Sequence, residues 1–259
     1  MTQKRYTSEE LIMMVQELAR ALGRSPTHKE WEECRQTPSI APVRDRFGTW
    51  NNFLRAAGLP FNNYFWSKDL DPLLFKRIDS TPEAYWLGFL FGDGCTEFGR
   101  FGFKSKDKEH VYKFKKFLGW KGKIKTIVDL RSGKHYWEIS IAKKEIVRNL
   151  REWGIKKGLR KIEKGVPSEF ASHFVRGFFD ADGYLGKEKI SFCNDSQELK
   201  NQILRILEDD LGPLHPIKSK DQLVFKRKIE REEILDFMAT DLKPEICLRR
   251  KWIWLRTDL

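Results

Sequence analysis

AYWLGFLFGDG (residues 84–94) and FVRGFFDADG (residues 174–183) are two forms of one pattern. Gly88 and Gly177 stand 89 residues apart, and so do Asp93 and Asp182. In each stretch two small residues lie four apart, Gly88 with Gly92 and Gly177 with Ala181. Residues at that spacing share one helix face. Thr81 is a suitable N-cap and Pro82 a suitable first helical residue, so a helix is predicted from there to about Phe91. A stripe of small residues lets helix backbones approach closely. The spacing therefore predicts two helices packed on each other with their C-terminal ends side by side. Each end carries an acid followed by glycine, Asp93-Gly94 and Asp182-Gly183. One Asp-Gly at a helix end is ordinary turn chemistry; two, behind matched small-residue pairs, point to a shared site.

Working outward, the duplication extends over the rest of the chain. FKSKD (103–107) parallels FCNDS (192–196), and helix-like stretches follow at 108–118 and 196–209. Strand pairs are predicted at 123–130 and 135–141 around Ser132-Gly133, and at 215–219 and 222–228 around Lys220-Asp221. Helices at 143–153 and 231–239 close the copies. Each copy reads helix, two strands, helix, two strands, helix. The fold class is α+β, a pseudo-twofold duplicated αββαββα core with antiparallel sheets, over 81–165 and 166–259.

Ahead of this core, residues 1–60 read as a small all-α unit and 61–80 as a linker. Thr7 with Glu10 and Thr27 with Glu30 are capping boxes. Leu11, Val15, Leu18 and Leu22 recur on one face until Gly23 stops the first helix. A third segment begins near Ser39 and carries Arg44 and Arg46; Thr49 caps a last helix, Trp50 to Ala57. Trp31, Phe47, Trp50 and Leu54 are its expected core.

The formal charge is +12 with a pI near 9.5, which suits a polyanionic partner. Residues 1–60 hold nine Lys and Arg against seven acids, whereas 104–134 alone holds eleven against three. No apolar run approaches the roughly 20 residues of a membrane span. The opening MTQKRYTSEE lacks an apolar signal core, so a cytosolic or organellar compartment is expected. The four cysteines, Cys34, Cys95, Cys193 and Cys247, lack zinc-site spacing and are expected to be small buried side chains.

Two neighbouring carboxylates repel unless a cation lies between them, and hard divalent ions such as Mg²⁺ take oxygen ligands. Such an ion can activate water against a phosphodiester. Lys121, Lys123 and Lys125 are expected to alternate on the first copy's third strand, and Lys218, Lys220, Lys226 and Lys228 on the second copy's hairpin. Outward lysines on a twisted sheet suit the major groove of double-stranded DNA.

WLGFLFGDG (86–94) and VRGFFDADG (175–183) resemble the two motifs of the monomeric LAGLIDADG homing endonucleases. GRSPTHKEW (23–31) and RDRFGTWNNFLRAAGL (44–59) resemble the homing-endonuclease-associated helical repeat. The resemblance implies a single-chain enzyme, acting without a second copy, that makes a metal-dependent double-strand break at a long asymmetric DNA target. It implies two or three Mg²⁺ ions held by Asp93 and Asp182 with the adjoining Gly92 and Ala181. It places water-ordering polar residues at Lys106 and Asn194, and basic residues near the scissile phosphates at Lys157 or Lys161 and at Lys251. Arg44 and Arg46 would reach DNA from the helical unit. The first motif has Phe91 where the second keeps Asp180. The alternatives are an RNA-splicing maturase or a non-cleaving DNA-binding regulator of the same fold. An intein is disfavoured, since the chain opens on Met1 and ends without a His-Asn pair.

Overall fold

The computed structural model describes residues 6–60, 70–158 and 160–252. The chain divides into two compact units with the boundary at residues 65 and 66. Of the expected linker, 61–69 lies outside the described residues. Leu70, Phe75 and Ile78 of the remainder are buried in the core of the second unit.

The first unit holds four helices: α1 (Ser8–Leu22), α2 (His28–Glu33), α3 (Ala41–Phe47) and α4 (Trp50–Ala56). Both capping boxes form, Thr7 with Glu10 and Thr27 with Glu30, and Gly23 ends α1 in the left-handed conformation. Leu11, Val15, Trp31, Val43, Phe53 and Leu54 form the buried centre, with Phe47 and Trp50 packed at its edge. Leu22 is half-exposed, because Ala19 takes the inward position on that turn. The third helix starts at Ala41 with no side-chain cap, two residues after Ser39.

In the second unit the first copy comprises α5 (Thr81–Asp93), β1 (Arg100–Ser105), α6 (Lys108–Phe117), β2 (Lys125–Val128), β3 (His135–Ala142) and α7 (Lys144–Trp153). The second comprises α8 (Ala171–Asp182), β4 (Gly183–Leu185), β5 (Ile190–Cys193), α9 (Gln197–Leu211), β6 (Ile217–Lys218), β7 (Gln222–Phe225) and α10 (Lys228–Ala239). A short α11 (Arg249–Trp252) follows. Both sheets are antiparallel, ordered β1-β3-β2 and β4-β5-β7-β6. The counterpart of β4 in the first copy is a single bridge, Cys95 with Gly102, because a tight turn intervenes immediately.

Helix α5 is buried on every side from Glu83 to Phe91, as the central helix of a core should be. Its cap is Ser80 rather than Thr81: the Ser80 side chain accepts from Glu83 N–H, and Pro82 then sits in the first turn. The seam between α5 and α8 is the most extensive helix–helix contact of the molecule, and it is mirrored. A Cβ built on Gly88 would stand 1.9 Å from the Phe174 carbonyl oxygen; one on Gly177 would stand 1.9 Å from that of Tyr85. Phe174 and Tyr85 are themselves 89 residues apart.

The strands differ from expectation at their ends. β2 covers only the middle of 123–130, so Lys121 and Lys123 precede it and Lys125 opens it. β6 is two residues long, since Pro216 cannot donate to the ladder and Ser219 turns the chain back onto Gln222. β7 ends at Phe225; Lys226 follows it, and Lys228 is the first residue of α10. Of the cysteines only Cys247 is buried; Cys95 is exposed, and Cys34 and Cys193 are intermediate. Among the described residues no helix is long and apolar enough to cross a membrane.

Candidate active site

Asp93 and Asp182 are the last residues of α5 and α8. Close packing of those helices brings the ends together. A Cβ on Gly92 would lie 3.3 Å from the carboxyl carbon of Asp182 and 2.4 Å from the Ala181 Cβ. Asp93 is exposed on its outer side while protein crowds its inner side. That crowding, and then the charge of Asp182, push its carboxyl up to about 7. Burial also raises Asp182, opposed chiefly by the hydrogen bond it accepts from Asn194 Nδ2 at 3.1 Å. Among the described residues no group donates to the Asp93 carboxylate, so its oxygens are free to bind a cation. Two crowded acids, one of them raised further by the other's charge and without a protein donor, suit a hard divalent ion.

A basic group caps each helix end. Arg160 donates through one guanidinium nitrogen to the carbonyls of Leu90 (3.1 Å), Phe91 (2.6 Å) and Gly92 (2.6 Å), and through the other to Gly94 (2.5 Å). Lys251 Nζ donates to the Phe179 and Gly183 carbonyls, both at 2.6 Å. Cations there meet the negative end of each helix. Burial lowers Lys251 to about 8 and also lowers Arg160; both acids oppose the fall at each group. Sequence reasoning missed Arg160. It considered its neighbours, but Lys157 pairs with Glu97 at 3.3 Å and Lys161 with Glu163 at 3.2 Å, both at the surface. The spacing from Lys251, close to the 89-residue repeat, was the available signal. The Gly92 carbonyl, expected at the metals, is among the four that Arg160 engages.

Asn194 lies where expected, beside Asp182. Its counterpart in the first copy is Ser105 rather than Lys106. Asn194 Oδ1 accepts from Ser196 N–H at 3.0 Å, and Ser105 Oγ accepts from Asp107 N–H at 3.1 Å, ahead of the following helix in both copies. Lys106 Nζ instead lies over the Tyr136 ring, 5.6 Å from its centre.

Asp180 is structural. Wholly buried, it accepts from Tyr85 Oη, Leu248 N–H and Trp252 Nε1, each at 2.7 Å, and so ties the segment carrying Lys251 to α8.

A cleft opens beside each acid. That of Asp182, 560 Å³, is lined by Arg160, Asn194 and Asp221. That of Asp93, 580 Å³, runs along the outer face of β1 and β3 past Phe98, Arg100, Lys104 and Glu138. The register sets Lys104, Glu138 and Lys125 in one row across three strands. In the second sheet the corresponding row is Cys193 and Gln222, both half-buried and uncharged. Lys218 belongs to the row of Leu223 and Phe192, whose side chains are in the core, and is exposed because β6 is a short edge. Lys121, Lys123, Lys220, Lys226 and Lys228 are exposed, as are Arg44 and Arg46 on α3.

Residues 6–60 match the homing endonuclease associated repeat, and residues 169–240 match the LAGLIDADG-like domain. The first copy lies outside that second stretch and is linked to it by the mirrored seam. An uncharacterized protein of Methanocaldococcus jannaschii is 30% identical over 159 residues, 56% of either chain, so this chain spans about half the length of the curated relative it matches. The solved structure of the homing endonuclease I-WcaI bound to its DNA recognition sequence is similar with a TM-score of 0.52 at 11% identity, covering 74% of this chain and 94% of that one. Full-length DUF199/WhiA from Thermotoga maritima is similar with a TM-score of 0.46 at 13% identity, over 68% of this chain and 61% of that one.

Proposed function

We propose, from the premise that this chain carries a homing endonuclease associated repeat followed by a LAGLIDADG-like domain, that it is a site-specific DNA endonuclease cutting both strands of a long asymmetric target. The observation that carries the reading is the pair Asp93 and Asp182, delivered by mirrored helices to one point, with Asp93 free of protein donors. Mg²⁺ held there would activate water and stabilise the leaving oxygen of a phosphodiester. Asn194 fixes the orientation of Asp182. Lys251 and Arg160 hold positive charge beside both acids, where a phosphate would otherwise meet repulsion. Arg100, Lys104 and Lys125 offer contacts along one half of the duplex; Lys218, Lys220, Lys226 and Lys228 offer them from the rim of the other. Lys121 and Lys123 extend the first set. Arg44 and Arg46, two charges on one short helix, add phosphate or base contacts from the first unit, each phosphate contact adding about 0.9 to the salt slope. No second copy is required, since the chain supplies both acids.

The test is incubation with DNA from the sequence flanking the protein's own gene, with Mg²⁺. One discrete double-strand cut is expected, lost in both Asp93→Asn and Asp182→Asn while DNA binding persists. Cutting at the wild-type rate by both variants would refute the assignment. Binding without cutting by the wild-type chain would instead favour a non-cleaving regulator, the reading that the engaged Gly92 carbonyl supports.

A further inference from the structure

Phe75 (φ 59°), Phe98 (φ 51°) and Asp241 (φ 46°) adopt the left-handed backbone conformation. There a β-carbon crowds the following carbonyl oxygen, a penalty that asparagine and aspartate feel least. The two phenylalanines answer it differently. Phe75 is fully buried; its N–H donates to Glu83 at 2.6 Å and its carbonyl accepts from Trp153 Nε1 at 2.8 Å. Folding itself gains from that arrangement. Phe98 is 94% exposed.

Phe98 sits in the turn Glu97–Arg100, closed by Arg100 N–H donating to the Glu97 carbonyl at 2.9 Å, with Gly99 also left-handed at φ 70°. Two successive left-handed residues are the hairpin pattern that favours Asn-Gly. A phenylalanine there serves neither the turn nor solubility. Its surroundings are polar: Glu97 paired with Lys157 on one side, Arg100 on the other. Phe98 also rims the cleft that contains Asp93 and Lys104. The equivalent turn of the second copy, Gly186–Lys189, where Gly186 N–H donates to the Lys189 carbonyl at 2.9 Å, carries the exposed Lys187 and Glu188 instead.

We propose that Phe98 is an aromatic wedge that inserts at a base step of duplex DNA lying along the Asp93 half of the site. The inference rests on the DNA-cleaving reading above and assigns it a residue acting on base stacking. An apolar side chain entering between base pairs unstacks them and bends the duplex, while neighbouring cations hold the phosphates. A single exposed ring amid charged residues fits that role; a protein-docking face would need contiguous apolar surface. The tight turn fixes the backbone that presents the ring, so little main-chain freedom is lost on binding. Since the second copy lacks the ring, the distortion falls on one half of the target.

The experiment compares the full chain with Phe98→Asn and Phe98→Leu on two probes, a mixed-sequence duplex and the same duplex with one central mismatched pair. A mismatch lowers the cost of unstacking, so the wild-type chain should bind it about 5–10-fold more tightly. Phe98→Asn should bind both alike with an unchanged salt slope, and Phe98→Leu should keep part of the preference. Without DNA, Phe98→Asn should melt higher than wild type, because asparagine suits the left-handed turn. A lower melting temperature would identify the ring as a structural contact and overturn the wedge. A preference that survives in Phe98→Asn, or is missing from the wild type, overturns the wedge and leaves the DNA reading standing. A wild-type chain that binds neither probe overturns both.

Discussion

The two copies of the core agree at their seam and differ almost everywhere else. Gly88 meets the Phe174 carbonyl as Gly177 meets that of Tyr85, both at 1.9 Å. Past the seam, Arg160 engages four carbonyls at the end of α5, whereas Lys251 engages two at the end of α8. One sheet turns a Lys104–Glu138–Lys125 row outward; the corresponding row of the other is the uncharged pair Cys193 and Gln222. Where backbone touches backbone no side chain can vary, so the duplication stays visible. Where side chains face solvent or a ligand, each half is free to take its own chemistry, as an asymmetric target requires.

The strongest way to break the comparison is at the seam. Gly88→Ala and Gly177→Ala should destabilise to similar extents, each by about 3 kcal/mol or more, since the new methyl meets an immovable carbonyl rather than a side-chain tip. Urea unfolding of the second unit's signal measures both. A tolerated substitution at one site only would show that the helices are not equivalently packed.

The helix-end cations sharpen it further. Arg160→Met should cost about 2–3 kcal/mol and Lys251→Met about 1–2, because charge-assisted bonds are lost to more carbonyls in the first case. The same unfolding experiment ranks them. Equal losses would mean that the number of carbonyls engaged does not matter.

The smallest effect concerns the acids without metal. The folded-state pKa of Asp93 is raised, so its protonated form favours folding; that stability is present near pH 4 and is lost as pH rises through about 7. In EDTA, Asp93→Asn should therefore melt like wild type near pH 4 and a few degrees above it at pH 8. Mg²⁺ should stabilise the wild-type chain increasingly over the same range, as the carboxyl gives up its proton. A pH-independent difference would show that Asp93 is not crowded as described.

Much of this was legible in local sequence. The capping boxes at Thr7 and Thr27 involve residues three apart and formed as expected. The Ser80 cap was missed because Thr81-Pro82 offers an equally suitable start. Only the fold shows Glu83 held by the N–H groups of Phe75 and Asp79, which fixes the turn one residue earlier. Lys106 was paired with Asn194 through the family resemblance, although the 89-residue repeat itself pairs Asn194 with Ser105. The hydrogen bonds that lead into α6 and α9 align Ser105 with Asn194.

By itself the sequence determined the duplication, the meeting of α5 with α8 and the delivery of Asp93 and Asp182 to one place. Those follow from helix periodicity and from the absence of side chains at Gly88 and Gly177, which are short-range properties. The tertiary structure decided which cation enters the site, which lysines lie on a strand face and what Asp180 does. Arg160 is 67 residues from Asp93 in the chain and stands between two lysines of similar character. What selects it is the direction of the segment after α7, set by packing between distant elements.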